Sequence, residues 1–193
     1  CWIYCLLAGQ LLLRENKPPP LQEQPYLYLF NHVSMFDQFM VGAFISHYIT
    51  AIGAEEIFKY PVWGQLIKRY GAIPIKRKRL KSALKSLELV ENAMKSGISF
   101  IIAPEGTRTT TGQMGIFKKG PFHLAKNTGI TIVPVALIGA FQAKNKEDWR
   151  LMPGIIKTRF GKPIKKDEYK SLSVDEVRDL TKTRIQKLIE GDN

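Results

Sequence analysis

The chain is poor in the residues that build covalent and metal frameworks, with 2 cysteines and 3 histidines in 193 residues. Both cysteines, Cys1 and Cys5, fall in the first five positions. A helical i, i+4 pair is badly placed for a disulfide, so no disulfide framework is implied. His32, His47 and His123 have no close ligand spacing and no neighbouring cysteine, so a metal centre is not indicated. His47 and His123 read as packing or surface residues on helices. A G-x-S-x-G elbow is also missing, which weakens a hydrolase reading that would use Ser34 as nucleophile.

No apolar run reaches the roughly 20 residues that span a hydrocarbon core. The nearest is CWIYCLLAGQLLL, Cys1–Leu13. It lacks a basic n-region and a clear cleavage site, so it is not read as a signal peptide. The run predicts an apolar N-terminal helix with three open roles: the end of a transmembrane helix, an interfacial anchor, or a helix packed on the domain. The chain starts with Cys rather than Met, as a processed protein or a piece of a longer one would. Lys17-Pro18-Pro19-Pro20 then stops any helix and reads as a short stiff linker. The expected division is a membrane-associating segment at 1–17 and a catalytic domain at 18–193.

Acidic residues are scarce: 17 Asp+Glu face 29 Lys+Arg, a net charge of +12. The partners implied are anionic: a phosphorylated small molecule, a membrane surface or nucleic acid. The excess is focused. Lys59–Lys95 holds ten basic and two acidic residues, against eight and seven in Gly161–Asn193. Lys76-Arg77-Lys78-Arg79 is the densest part, and a solvated turn is its plainer reading. No nucleic-acid fold signature accompanies it, so nucleic acid is not expected.

What is present is a βα rhythm. Apolar runs of strand length at Tyr26–Phe30, Gly71–Ile75, Ile98–Ala103 and Thr131–Ile138 alternate with helical stretches near 35–48, 60–70, 79–96 and 119–128. Ile155–Phe160 adds a strand, and Ser173-Val174-Asp175-Glu176 is a capping-box start for a last helix ending near Gly191. Unbroken apolar runs suit strands covered on both faces. The fold class expected is α/β: one domain, a mostly parallel sheet covered by helices, and the apolar N-terminal helix.

Ligands in such sheets lie beyond the carboxyl ends of the strands. The first strand ends in Asn31-His32-Val33-Ser34-Met35-Phe36-Asp37. His32 and Asp37 are five apart, roughly 140° around a continuous helix, and cannot share a face there. Ser34-x-x-Asp37 reads as a helix start, which leaves His32 on the turn and points Asp37 back toward it. Two readings are open: a cooperating pair, or a backbone-capping Asp37 beside an ordinary loop histidine.

The second strand runs into Arg77, and the third into Pro104-Glu105-Gly106-Thr107-Arg108-Thr109. If these strands are parallel neighbours, a His/Asp pair, a basic corner and a Glu-Gly-Thr-Arg turn share one edge. Gly106 allows close backbone approach; Arg77 and Arg108 offer guanidinium forks to phosphate oxygens, with Lys118 and Lys119 as point charges. Glu105 either holds the arginines, accepts from a substrate hydroxyl, or forms a structural ion pair with Arg108. For Lys118 and Lys119 a solvated helix start is an equal reading.

With these residues in place the chain resembles the glycerophospholipid acyltransferase family, most closely its 1-acyl-sn-glycerol-3-phosphate acyltransferases. Asn31–Asp37 matches the family's NHxSxxD block, Gly71–Arg77 is similar to the second block, Ala103–Thr109 to FPEGTRS and Ile132–Ala136 to the fourth. Ala103 stands where an aromatic is usual and Thr109 where serine is, while Pro74 and Lys76 alter the second block. The likeness runs from about Tyr26 to Gly139.

The resemblance implies acyl transfer from a thioester to the free hydroxyl of a lysophospholipid. His32 would be the general base and Asp37 its orienting acid. Arg77, Glu105, Gly106, Thr107, Arg108 and Lys118 would hold the acceptor. It further implies no cofactor beyond the co-substrate acyl-CoA or acylated acyl carrier protein, and a membrane-associated enzyme whose site faces the cytoplasm.

Overall fold

The computed structural model describes residues 1–76 and 80–191. Helices α1 (Trp2–Leu7), α2 (Asp37–Gly42), α3 (Trp63–Arg69), α4 (Leu80–Lys95), α5 (Gly120–Thr128), α6 (Ala140–Ala143), α7 (Lys166–Tyr169) and α8 (Val174–Glu190) surround one sheet. Its strands are β1 (Gln10–Glu15), β2 (Tyr26–Phe30), β3 (Ile49–Ala54), β4 (Ile73–Ile75), β5 (Ser99–Ile102), β6 (Thr131–Ile138) and β7 (Gly154–Phe160). Their order is β1-β7-β6-β2-β5-β3-β4. All neighbours are parallel except β6 and β7. The expected single α/β domain with a mostly parallel sheet is what forms.

Strand β2 shows why the sheet has helices on both sides. All five residues of YLYLF are buried, and strand alternation sends them to opposite faces. Tyr26, Tyr28 and Phe30 join Phe36, Met40 and Val41 around α2 in one core. Leu27 and Leu29 join Val90 and Met94 of α4, Phe122 and Leu124 of α5, and Val177 and Ile185 of α8 in the other. Each fully buried leucine of this kind contributes about 1.5–3 kcal/mol by leaving water. At the start of α8, Ser173 Oγ accepts from the Glu176 N–H at 3.2 Å while the Glu176 carboxylate accepts from the Ser173 N–H at 2.6 Å.

Two stretches differ from expectation. The apolar run Cys1–Leu13 is not one helix: α1 ends at Leu7, Gly9 turns the chain at φ +72°, and Gln10–Glu15 becomes an edge strand parallel to β7. Glycine suits this turn because other residues resist the left-handed region. The second stretch was expected to be helical to Tyr48. Instead α2 ends at Gly42, and Ile49–Ala54 forms β3 between β5 and β4. Gly53 interrupts the apolar pattern of that strand because the 3-10 turn Glu55–Lys59 packs on it. A Cβ there would meet Ile57 Cδ1 at 2.6 Å and Phe58 Cε2 at 2.9 Å.

Candidate active site

Three adjacent parallel strands, β6, β2 and β5, bring their carboxyl ends together, and His32 sits where they meet. Asn31 splices two of them: its side chain donates to the Leu137 carbonyl at 3.0 Å and accepts from the Leu137 N–H at 2.7 Å. From β5, the Glu105 carboxylate accepts from the His32 N–H at 2.7 Å. The Thr109 N–H donates to the His32 carbonyl at 2.8 Å. The histidine backbone is thus held on both sides by the Pro104–Thr109 turn.

The side chain is held as firmly. His32 Nδ1 lies 2.7 Å from Asp37 Oδ2. The chain bends between them so that Asp37, at the first position of α2, points back, as the i, i+5 spacing required. The carboxylate is fully buried and also accepts from the Val33 N–H at 2.8 Å and the Ser34 N–H at 3.0 Å. Burial pushes the Asp37 carboxyl above its ordinary range; the imidazole and then these backbone donors pull it back. With Nδ1 facing a carboxylate, the Nδ1–H tautomer is the one assigned, which leaves Nε2 as acceptor.

Ser34 does not cap α2 through its hydroxyl. Phe36 is the N-cap residue, and Ser34 Oγ is buried and donates to the Lys144 carbonyl at 2.7 Å. This bond ties the His32 turn to the loop after α6. The hydroxyl is committed to structure, which gives no support to a serine nucleophile.

His32 opens into a cleft of about 980 Å³. Gly106, Thr107, Arg108 and Lys118 line it beside the histidine, while Ala51, Ile52, Ile57, Trp63, Ile75, Leu84 and Leu87 line an apolar part. Gly106 has φ +72°, and a Cβ on it would stand 3.1 Å from Lys118 Cε. The Gly106 turn and Lys118 therefore lie side by side in the cleft that His32 also lines.

Other expectations fare differently. Arg77 lies outside the described residues. Its strand, β4, is the far edge of the sheet and is separated from β5 by β3, so the expected neighbouring of the second and third strands does not hold. Lys119 pairs with Asp175 of α8 at 2.9 Å. Both oxygens of buried Glu105 are taken by backbone, His32 N–H and Gly115 N–H, the latter at 2.8 Å. Burial raises this carboxyl, and the two N–H bonds oppose the rise. Among the described residues it forms no ion pair with Arg108.

His47, read as a helix residue, lies instead in the bend between α2 and β3, half-buried against Tyr26 and Tyr28, and burial lowers its pKa. His123 is exposed on α5, in keeping with a surface residue on a helix, and it also lines the cleft, as does exposed Lys146 from the loop after α6. Charge-rich loops carry no mark of where they fold back. Among the described residues no group of three His, Cys, Asp or Glu could hold a metal ion.

Residues 13–138 match the Acyltransferase family model, and the chain belongs to that family. Among its relatives is the 1-acyl-sn-glycerol-3-phosphate acyltransferase of Cocos nucifera, 35% identical over 150 residues, covering 77% of this chain and 49% of the relative. The protein of the same name from Pseudomonas aeruginosa is 32% identical over 164 residues, covering 83% and 62%. The chain thus spans about half the length of the first of these and less than two thirds of the second. In fold it is similar to the crystal structure of the 1-acyl-sn-glycerophosphate (LPA) acyltransferase PlsC from Thermotoga maritima. The TM-score is 0.79 at 23% identity, over 93% of this chain and 71% of that one.

Proposed function

We propose that this protein transfers a fatty acyl group from a thioester, carried by coenzyme A or acyl carrier protein, to the free hydroxyl of 1-acyl-sn-glycerol-3-phosphate, giving phosphatidic acid. The observation that carries this reading is the 2.7 Å bond from His32 Nδ1 to a buried Asp37 at the mouth of a partly apolar cleft. His32 Nε2 takes the proton of the acceptor hydroxyl as its oxygen attacks the thioester carbonyl. Asp37 stabilises the imidazolium. When the C–S bond breaks, Nε2 returns the proton to the departing thiolate. The acceptor hydroxyl fills the place of a triad serine, so the acyl group never bonds to the protein.

Arg108, Lys118 and the Gly106 backbone hold the phosphate and so fix the hydroxyl near the base. Thr107, exposed beside them, offers a hydroxyl to the same group. The apolar lining accommodates acyl chains, the donor's and that of a lysolipid acceptor.

A membrane surface is the natural source of that substrate. No helix among the described residues is long and apolar enough to cross a membrane. Exposed Leu6 and Leu7 precede the Gly9 turn, which bonds to Gly154 beside exposed Met152. With the net charge of +12, this supports adsorption to anionic bilayers.

The test is mass spectrometry of products from lysophosphatidic acid or glycerol-3-phosphate with an acyl thioester in mixed micelles, with His32→Ala beside the wild type. Phosphatidic acid from the wild type and none from the variant is expected. Equal product from both would remove His32 as base. Lipid binding without turnover from either acceptor would make the protein a peripheral binding module.

A further inference from the structure

A second cavity, of about 430 Å³, lies along the edge strand β4 between the Glu55–Lys59 turn, α3 and α4. Four lysines line it, Lys59, Lys68, Lys76 and Lys85, with Glu55 as the one acidic residue. Glu55 is taken by Lys76 at 3.0 Å. Among the described residues, the other three lysines have no carboxylate partner. Lys59, Lys68 and Lys85 are exposed around one concavity and give it a positive surface that attracts anions, and the volume suits a ligand of nucleotide size.

The partition between this cavity and the acyl-sized cleft is thin. Helix α4 turns Ala83, Leu84 and Leu87 to the cleft and Ser82, Lys85 and Ser86 to the lysine cavity. On β4, Ile75 faces the cleft while Pro74 and the adjoining Lys76 line the cavity. Glu55 and Lys76 leave the carboxyl ends of β3 and β4, the sheet edge that carries His32. With strands about 4.8 Å apart, β3 and β4 stand two and three spacings from β2, roughly 10–15 Å. A donor whose thioester lies at His32 can place phosphates at this distance if a flexible arm joins them.

Building on the acyl-transfer reading, we propose that the lysine cavity binds the phosphate groups of the acyl donor, the nucleotide end of an acyl-coenzyme A, while the thioester enters the cleft. Three free ammonium groups suit a carrier with several phosphoryl groups better than the single phosphodiester of an acyl carrier protein. The cavity then acts on donor affinity and not on the acceptor's phosphate, which belongs to Arg108 and Lys118.

The experiment has a binding arm and a kinetic arm. Calorimetric titration measures coenzyme A and 3′-dephospho-coenzyme A binding to wild type, Lys59→Ala/Lys85→Ala and Lys68→Glu, with thermal midpoints recorded to confirm folding. Dissociation constants should rise about tenfold in the double variant, with the dephospho compound already weaker on wild type. In the kinetic arm, KM for acyl-coenzyme A should rise by a similar factor, and KM for an acyl-N-acetylcysteamine thioester, which has no phosphate, should rise much less. Folded variants that bind coenzyme A as wild type does would overturn the proposal, as would a wild type that does not bind it. Loss of binding to phosphatidylglycerol vesicles with coenzyme A affinity intact would assign the cavity to lipid headgroups and overturn it too. Titration needs no turnover, so lysine-dependent coenzyme A binding without acyl transfer would sustain the site while the reaction failed. Acyl transfer with unaltered variants would do the reverse.

Discussion

Glu105 accepts the backbone N–H of His32 at 2.7 Å and thereby joins the β5 turn to the residue that ends β2. Its other oxygen accepts from Gly115, so the carboxylate fixes the base's backbone from a neighbouring strand. Glutamine at this position has one acceptor oxygen for two N–H groups and turns an NH₂ toward the other. Glu105→Gln should leave a buried N–H unpaired, at about 1–3 kcal/mol, and let His32 drift. Steady-state kinetics should show kcat reduced by about tenfold or more with KM for the lysolipid nearly unchanged. A rise confined to KM would instead mark Glu105 as an acceptor-binding group.

Asp37→Asn separates catalysis from stability. Loss of the carboxylate that sets the His32 tautomer should lower kcat by about 10²–10⁴. The stability effect follows from burial, which raises the Asp37 carboxyl in the fold. A group raised on folding holds its proton to higher pH in the native state. The contribution is therefore best at low pH and declines as pH rises from the unfolded value, about 3.9, through the folded one. Urea unfolding of both proteins from pH 4 to 8 should show wild type losing stability relative to the variant as pH rises. A relative gain would mean that the hydrogen bonds outweigh burial at this site.

Gly106→Ala tests the turn beside the base. The residue has φ +72°, and a Cβ on it would stand 3.1 Å from Lys118 Cε. Alanine should cost about 1–2 kcal/mol in backbone strain and displace the lysine stem. A lower thermal midpoint together with a raised KM for lysophosphatidic acid is expected. A midpoint shift alone would detach Lys118 from the acceptor.

The parts of this architecture that were legible in the sequence are those whose pattern is local. β2 and β6 declare themselves as unbroken apolar runs because both faces are covered, and α8 by Ser173 and Glu176. The i, i+5 spacing showed that His32 and Asp37 could meet only across a bend, but it left open whether they meet, and the Ser34 cap read there does not form. β1 was hidden because Leu11-Leu12-Leu13 extends an apolar helix pattern, and β3 because Gly53 breaks its run where a 3-10 turn packs on it. The motif around Glu105 names a residue without saying whether its carboxylate meets a ligand or a backbone. The tie from Ser34 to the Lys144 carbonyl joins positions 110 residues apart and leaves no mark on either.

That same tie makes Lys146 the subject of a last prediction. It extends from the loop anchored by Ser34 into the cleft shared by His32, Arg108 and Lys118. Three cations around the entrance suit a phosphate monoester, and their contributions should differ in kind. Arg108 offers a planar fork from an ordered turn, and Arg108→Ala should raise KM for lysophosphatidic acid most. Lys146 is an exposed point charge on a loop, and Lys146→Ala should raise KM severalfold, with the effect shrinking as salt is increased. Neither change should alter KM for the thioester donor. Initial rates over a grid of both substrates at two ionic strengths distinguish the cases. If Lys146→Ala moves the donor KM and leaves the acceptor KM in place, the loop borders the thioester, and the two substrates enter the cleft from sides opposite to those assigned above.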